Sequence, residues 1–105
     1  MADKPEFRVD VETDGPTRML RLTGELVFDS APVLRSVVAD LAGEADVVIE
    51  LSAVEFMDST GLAALLYARR QAATEGWTLT LRSPRPNVAA LLRVTALDRV
   101  FSIEP

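Results

Sequence analysis

Residues 58–61, Asp58-Ser59-Thr60-Gly61, set a carboxylate, two hydroxyls and a glycine directly before an apolar stretch over residues 62–68. Such a cluster belongs at a helix start, where the first N–H groups lack partners and carry a partial positive charge. Asp58 is expected to cap those groups by accepting from Thr60 or Gly61. The same terminus accommodates phosphate, which makes Ser59 a candidate for reversible phosphorylation, with Thr60 the less favoured acceptor. Catalysis is a poor alternative. The chain has no histidine and no cysteine, which removes Ser-His-Asp and Cys-His chemistry, thiolate reactions, disulfides and histidine metal sites. No Gly-x-Ser-x-Gly elbow and no Gly-x-x-x-x-Gly-Lys phosphate loop occurs either. The expectation is a modified binding protein, not an enzyme, with no metal or cofactor.

Neighbouring residues qualify this picture. Gly61 falls inside the helix, where glycine costs about 1 kcal/mol relative to alanine. Close packing against a strand or a partner is the expected compensation. Met57 has a pliable side chain suited either to core filling or to an exposed contact, and exposed beside Ser59 it would be an interface anchor, whereas Val54 and Phe56 are expected in the core. Glu50 reads as a local hydrogen-bonding group and Trp77 as a structural residue.

The elements that must position Ser59 follow from hydrophobic spacing. Phe7, Val9 and Val11 alternate with Arg8, Asp10 and Glu12, the period of a half-buried strand. A turn at Thr13-Asp14-Gly15-Pro16 leads to a second strand over residues 19–26, giving a hairpin. Asp29 or Ser30 is placed to cap a helix with Pro32 in its first turn. Val33, Leu34, Val37, Val38 and Leu41 form its stripe, and Gly43 ends it. Val47, Val48, Ile49 and Leu51 read as a strand covered on both faces, as parallel strands are. A short turn then precedes a helix from Ser59 to Glu75, with Leu62, Leu65, Leu66 and Ala73 inward and Gly76 as its stop. Trp77, Leu79 and Leu81 alternate as a further strand. Pro86 opens a third helix carrying Val88, Leu91, Leu92 and Thr95 on one side, and residues 100–103 form a short last strand or a packed tail. Strands alternating with helices imply parallel neighbours and right-handed crossovers.

At 105 residues the chain reads as one domain, residues 1–105, with residues 1–5 loose. The formal net charge of −5 opposes direct nucleic-acid binding, which rests on neutralising phosphates with basic groups. Arg69, Arg70, Arg82, Arg85, Arg93 and Arg99 read as solvated charges without interleaved aromatics. No apolar run matches a signal peptide or a bilayer span. A cytoplasmic location without membrane insertion is expected.

With Gly24-Glu25-Leu26, Val47-Val48-Ile49-Glu50-Leu51-Ser52, Phe56-Met57-Asp58-Ser59-Thr60-Gly61-Leu62 and Leu79-Thr80-Leu81 in this order, the chain resembles the STAS domain family, in particular the bacterial anti-sigma factor antagonists. The resemblance implies an α/β fold: a single STAS domain with a mixed, mostly parallel sheet of four to five strands, helices packed against it and an antiparallel hairpin at the start. It implies partner switching, in which the unphosphorylated protein binds an anti-sigma factor and frees a sigma factor. The anti-sigma factor is often a serine kinase that modifies the position of Ser59, and a phosphatase reverses the modification. The implied docking surface comprises Met57, Asp58, Ser59, Thr60 and Gly61 with the loop at residues 26–30. That loop has Val27 where the family often has an acidic residue, and Asp29 stands two residues later as a partial substitute. The family also includes scaffold subunits of stress-signalling and lipid-transport complexes, the alternative reading. Lipid-transport relatives tend to have threonine then a small residue where this chain has Ser59-Thr60, which favours the regulator. A nucleotide sensor ranks lowest, for want of a glycine-rich loop.

Overall fold

Alternation over the first 26 residues does produce a hairpin, β1 (Arg8–Asp14) and β2 (Thr17–Leu26), paired antiparallel around Gly15 at φ 58°. In this computed structural model, which describes residues 6–41 and 46–105, the chain continues through α1 (Ala31–Leu41), β3 (Asp46–Met57), α2 (Ser59–Glu75), β4 (Leu79–Arg82), α3 (Pro86–Val94), a 3-10 turn (Leu97–Arg99) and β5 (Ser102–Glu104). Gly43, the expected stop of the first helix, and residues 1–5 lie outside the described residues. The sheet order is β1-β2-β3-β4-β5, with every pair after the hairpin parallel. This is the mixed, mostly parallel sheet expected, with five strands.

One apolar row crosses all five strands: Val11, Leu20, Ile49, Leu81 and Ile103 stand side by side in register. Its three central members are fully buried, and they share one hydrophobic cluster with Leu34 and Val38 of α1, Leu62, Leu65 and Ala68 of α2, and Val88 and Leu92 of α3. Burying each such Leu or Ile contributes roughly 1.5–3 kcal/mol. On α2 the inward residue near the C-terminus is Ala72, and Ala73 is exposed. The inward stripe runs through residues 61, 65, 68 and 72, so Ala73 falls one helical step outside it.

The next register row over lies on the opposite face, because successive strand residues point to opposite sides. It reads Asp10, Arg21, Glu50, Arg82, Glu104, with alternating charge from edge to edge. The strand expected to be apolar on both sides is therefore polar on one of them: Val48 is buried there, but Glu50 is partly exposed within the charged row. Within that row the ion pair is Arg82 to Glu104 at 3.1 Å, while Arg21 reaches Glu12 at 3.6 Å and Asp10 accepts from Arg8 at 2.9 Å. Exposed pairs of this kind add only about 0–1 kcal/mol each. They suit a wetted face.

Trp77 precedes β4 instead of opening it. It is buried just after the glycine stop of α2, where Gly76 takes the left-handed conformation at φ 80°.

Candidate functional site

β2 and β3 end side by side, with Leu26 in register with Met57, and each strand feeds the helix that follows it. Parallel strands deliver their following loops to the same sheet edge, which is where α/β folds place their binding sites. The Asp58 N–H donates to the Leu26 carbonyl at 3.4 Å, linking the two strand ends.

The strand before Ser59 departs from expectation. No turn intervenes: β3 runs to Met57 and α2 starts at Ser59. Its pairing with β2 shifts twice, between Arg21 and Thr23 and again between Gly24 and Glu25, each time placing one extra residue on β3. Each β-bulge moves the following side chains to the other face. The buried residues consequently change from alternation to spacing by three, at Leu51, Val54 and Met57. Met57 is 4% exposed and belongs to the core, so it supplies no exposed contact beside Ser59. Phe56, expected inside, is 49% exposed.

Asp58 caps α2 as expected. Its Oδ1 accepts from the Thr60 N–H at 2.9 Å and from the Gly61 N–H at 3.1 Å, with extended backbone at φ −112° and ψ −172°. Ser59 is exposed at the first helical position, and its hydroxyl makes no hydrogen bond among the described residues. Thr60 is half-buried and turns to a hollow of about 270 Å³ that it lines with Phe28, Ala31, Pro32 and Arg35. Gly61 is buried, and a methyl group there would meet the Leu26 carbonyl oxygen and approach Met57 Cγ to 2.7 Å. The expected reason for glycine inside a helix is thus met by close contact with two strand ends.

The loop before α1 owes its shape to Ser30 more than to Asp29. The Ser30 hydroxyl donates to the Glu25 carbonyl at 2.6 Å and accepts the Val27 N–H at 2.8 Å. It turns back to tie the loop instead of capping α1. Phe28, at the bend, is left 75% exposed, with exposed Asp29 beside it and Val27 half-buried. The sequence reading named this loop but missed Phe28; a lone aromatic between Val27 and Asp29, in a segment too short for core burial, was the available signal. Arg35, which lines the hollow, reaches from α1 to stand 5.7 Å from the centre of the Tyr67 ring on α2.

The assembled surface has a free hydroxyl, an exposed aromatic and a shallow hollow at one sheet edge. Carboxylates lie nearby on Asp29 and Asp58. Among the described residues no group of three or more carboxylates could hold a metal ion. Among the described residues no helix is long and apolar enough to cross a membrane.

Comparison with known proteins agrees with this fold. The family model described as "Mlab, STAS domain" matches residues 9–104. The anti-sigma-B factor antagonist of Bacillus subtilis (strain 168) is 32% identical over 98 residues, covering 92% of this chain and 90% of that protein. An anti-sigma factor antagonist from Mycobacterium paratuberculosis superimposes with a TM-score of 0.85 at 25% identity, covering 95% of this chain and 86% of the other. SpoIIAA shares the fold at 20% identity in two states. Its unphosphorylated form gives a TM-score of 0.77, covering 93% of this chain and 87% of that one. The phosphorylated form, a Bacillus cell fate determinant, gives 0.70, covering 93% and 90%.

Proposed function

This chain belongs to the STAS domain family, with anti-sigma factor antagonists as its relatives, and from that premise we propose that it binds an anti-sigma factor and is switched off by phosphorylation of Ser59. It acts as a regulatory binding protein in transcription and catalyses no reaction. ATP, and the kinase activity that uses it, belong to the partner, and a separate phosphatase restores the unmodified form.

One observation carries the reading. Asp58 takes over the capping of α2, which leaves the neighbouring Ser59 hydroxyl exposed and without a hydrogen-bond partner among the described residues. Because the residue before it supplies the cap, the Ser59 hydroxyl is not committed to those N–H groups. The half-buried position of Thr60 favours Ser59 as the acceptor. The existence of a relative in both phosphorylated and unphosphorylated forms supports the same reading.

Phosphate adds about −1.5 to −2 charges at neutral pH. At this position it meets the favourable end of the α2 dipole, so the fold tolerates it without rearrangement. Toward a partner the outcome differs: the surface around Phe28, Asp29 and Asp58 becomes bulkier and more acidic. An anti-sigma factor seated over Phe28 and Ser59 then loses apolar contact and gains repulsion from any acidic groups of its own.

Parallel capture with wild type, Ser59→Ala and Ser59→Asp, followed by mass spectrometry of bait and prey, tests the proposal. Retention of an anti-sigma factor by the first two and its loss by the third is expected, with phosphate on Ser59 of the wild type. An identical set of partners on all three proteins, with no phosphate, would instead favour a constitutive scaffold.

A further inference from the structure

The last seven residues of β3 stand on a strand that has lost one neighbour. Pairing with β4 ends at Glu50 and Arg82, whereas β3 continues to Met57. This same stretch carries two bulges, the first setting Val54 inward and the second returning Met57 to the core ahead of Asp58 at the cap position. A bulged strand without a second partner has backbone carbonyls to satisfy and is the part of a sheet most able to slip in register.

Two side chains from the start of α3 meet that need. Arg85 Nε donates to the Ser52 carbonyl at 2.8 Å, and Asn87 Nδ2 donates to the Glu55 carbonyl at 2.8 Å. Their spacing matches the bulges, one contact for each irregular segment of β3. They replace the ladder that β4 stops supplying.

The sequence of α3 bears marks of this assignment. Its N-cap position is Arg85, which makes no side-chain capping bond, although Ser, Thr, Asp or Asn is preferred there. Asn87, a residue with a good capping side chain, stands two positions too late and points its amide at β3 instead. The helix forgoes local stabilisation, and both polar side chains serve the strand. Departures from local preference of this sort mark positions fixed by a longer-range requirement.

We propose that Arg85 and Asn87 are positioning residues for the Ser59 surface. They hold β3 in its doubly bulged register and thereby fix Met57 in the core, Asp58 at the cap and Ser59 outward. The functional consequence rests on the reading of Ser59 as the switch; the structural consequence does not. A one-residue slip would exchange Phe56 for Met57 in the core and move Asp58 off the N–H groups of Thr60 and Gly61. The switch would then be presented in the wrong place by a sheet whose centre is otherwise intact.

Amide hydrogen exchange by NMR tests this on the whole chain. Asn87→Asp keeps the shape of the side chain but has no donor for the Glu55 carbonyl. Arg85→Ala removes the donor to Ser52, and Arg85→Lys restores a donor on a flexible stem. Asn87→Ser, too short to reach Glu55, serves if the aspartate variant fails to fold. Expected is exchange roughly two- to tenfold faster at the Asp58, Thr60 and Gly61 amides in the alanine and aspartate variants, the range for one hydrogen bond. Ile49 and Leu81 amides should be unchanged, and Arg85→Lys should recover most of the protection. Unchanged exchange at residues 58–61 overturns the proposal, and so does acceleration spread evenly over the sheet. If wild type captures no anti-sigma factor while the exchange pattern holds, the switching function fails and the positioning role stands.

Discussion

Gly61 lies so close to the carbonyl oxygen of Leu26 that no side chain fits between α2 and the end of β2. The same carbonyl accepts the Asp58 N–H, so one oxygen at the end of β2 meets the first turn of α2 and the residue that caps it. The two loops of the candidate site are therefore held at a fixed separation by backbone alone. Any bulk added at residue 61 must push α2 and the Phe28 loop apart.

Gly61→Ala is accordingly expected to destabilise the protein by about 1–3 kcal/mol, the range for overpacking, despite the better helix propensity of alanine. Urea unfolding measures it, with Gly76→Ala as a different kind of control: open space surrounds Gly76, and only its positive φ opposes the methyl group there. An unchanged midpoint for Gly61→Ala would show that the contact with Leu26 relaxes without cost.

Asp58→Ala should cost about 0.5–2 kcal/mol through loss of the cap, while Asp58→Asn should recover most of it, since the amide oxygen accepts the same N–H groups. Thermal unfolding of the two variants separates capping from charge. If Asp58→Asn is as unstable as Asp58→Ala, the carboxylate contributes through its charge and not through the bonds at 2.9 and 3.1 Å.

The inward spacing by three at Leu51, Val54 and Met57 makes an unequal prediction for two adjacent residues. Met57→Ala should cost about 2–5 kcal/mol, as deletions from a packed core do. Phe56→Ala, although it removes a larger side chain, should cost under about 1 kcal/mol because half of that ring is in water. Chemical denaturation of both variants compares them directly, and the reverse order would place the bulges elsewhere.

Phe28→Ala should leave unfolding within about 0.5 kcal/mol of wild type, as surface changes do. Capture of the anti-sigma factor proposed above should nevertheless weaken at least tenfold, since exposed aromatics in such positions act as interface anchors. Full retention of that partner would move the docking surface away from the hollow lined by Phe28 and Thr60.

Ala96 follows α3 in the left-handed region at φ 61°, which costs a non-glycine residue roughly 1–2 kcal/mol. Ala96→Gly should therefore raise stability by up to about 1 kcal/mol, since glycine also gains freedom in the unfolded chain. For a domain of this size that corresponds to about 4–8 °C in Tm per kcal/mol. A lower Tm would mean that unfolded-state entropy outweighs the relief of strain.

Much of this was legible in the residues. Regular spacing located the hairpin, the three helices and the strand at Leu79 and Leu81, because period 2 and period 3.6 are local properties of a chain with one buried face. Asp58 and Gly76 announced the two ends of α2 by side-chain chemistry and backbone freedom, and both are found in those roles. The sequence alone also excluded imidazole and thiol chemistry and placed a free serine at a helix start.

The sides of residues 51–57 were decided by tertiary structure. A bulge has no local signature, since it arises from pairing between β3 and β2, strands separated by a whole helix. Alternation read past Leu51 places Ala53, Glu55 and Met57 inside; the first inserted residue brings Val54 in instead, and the second returns Met57 to the core and leaves Phe56 outward. The exposure of Phe28 likewise came from the Ser30 hydroxyl tying back to Glu25 and Val27, and the contribution of Arg85 and Asn87 from β4 ending early. Sequence determined which groups are available and where helices start. Register, a property of paired strands and not of either one alone, decided which of those groups face a partner.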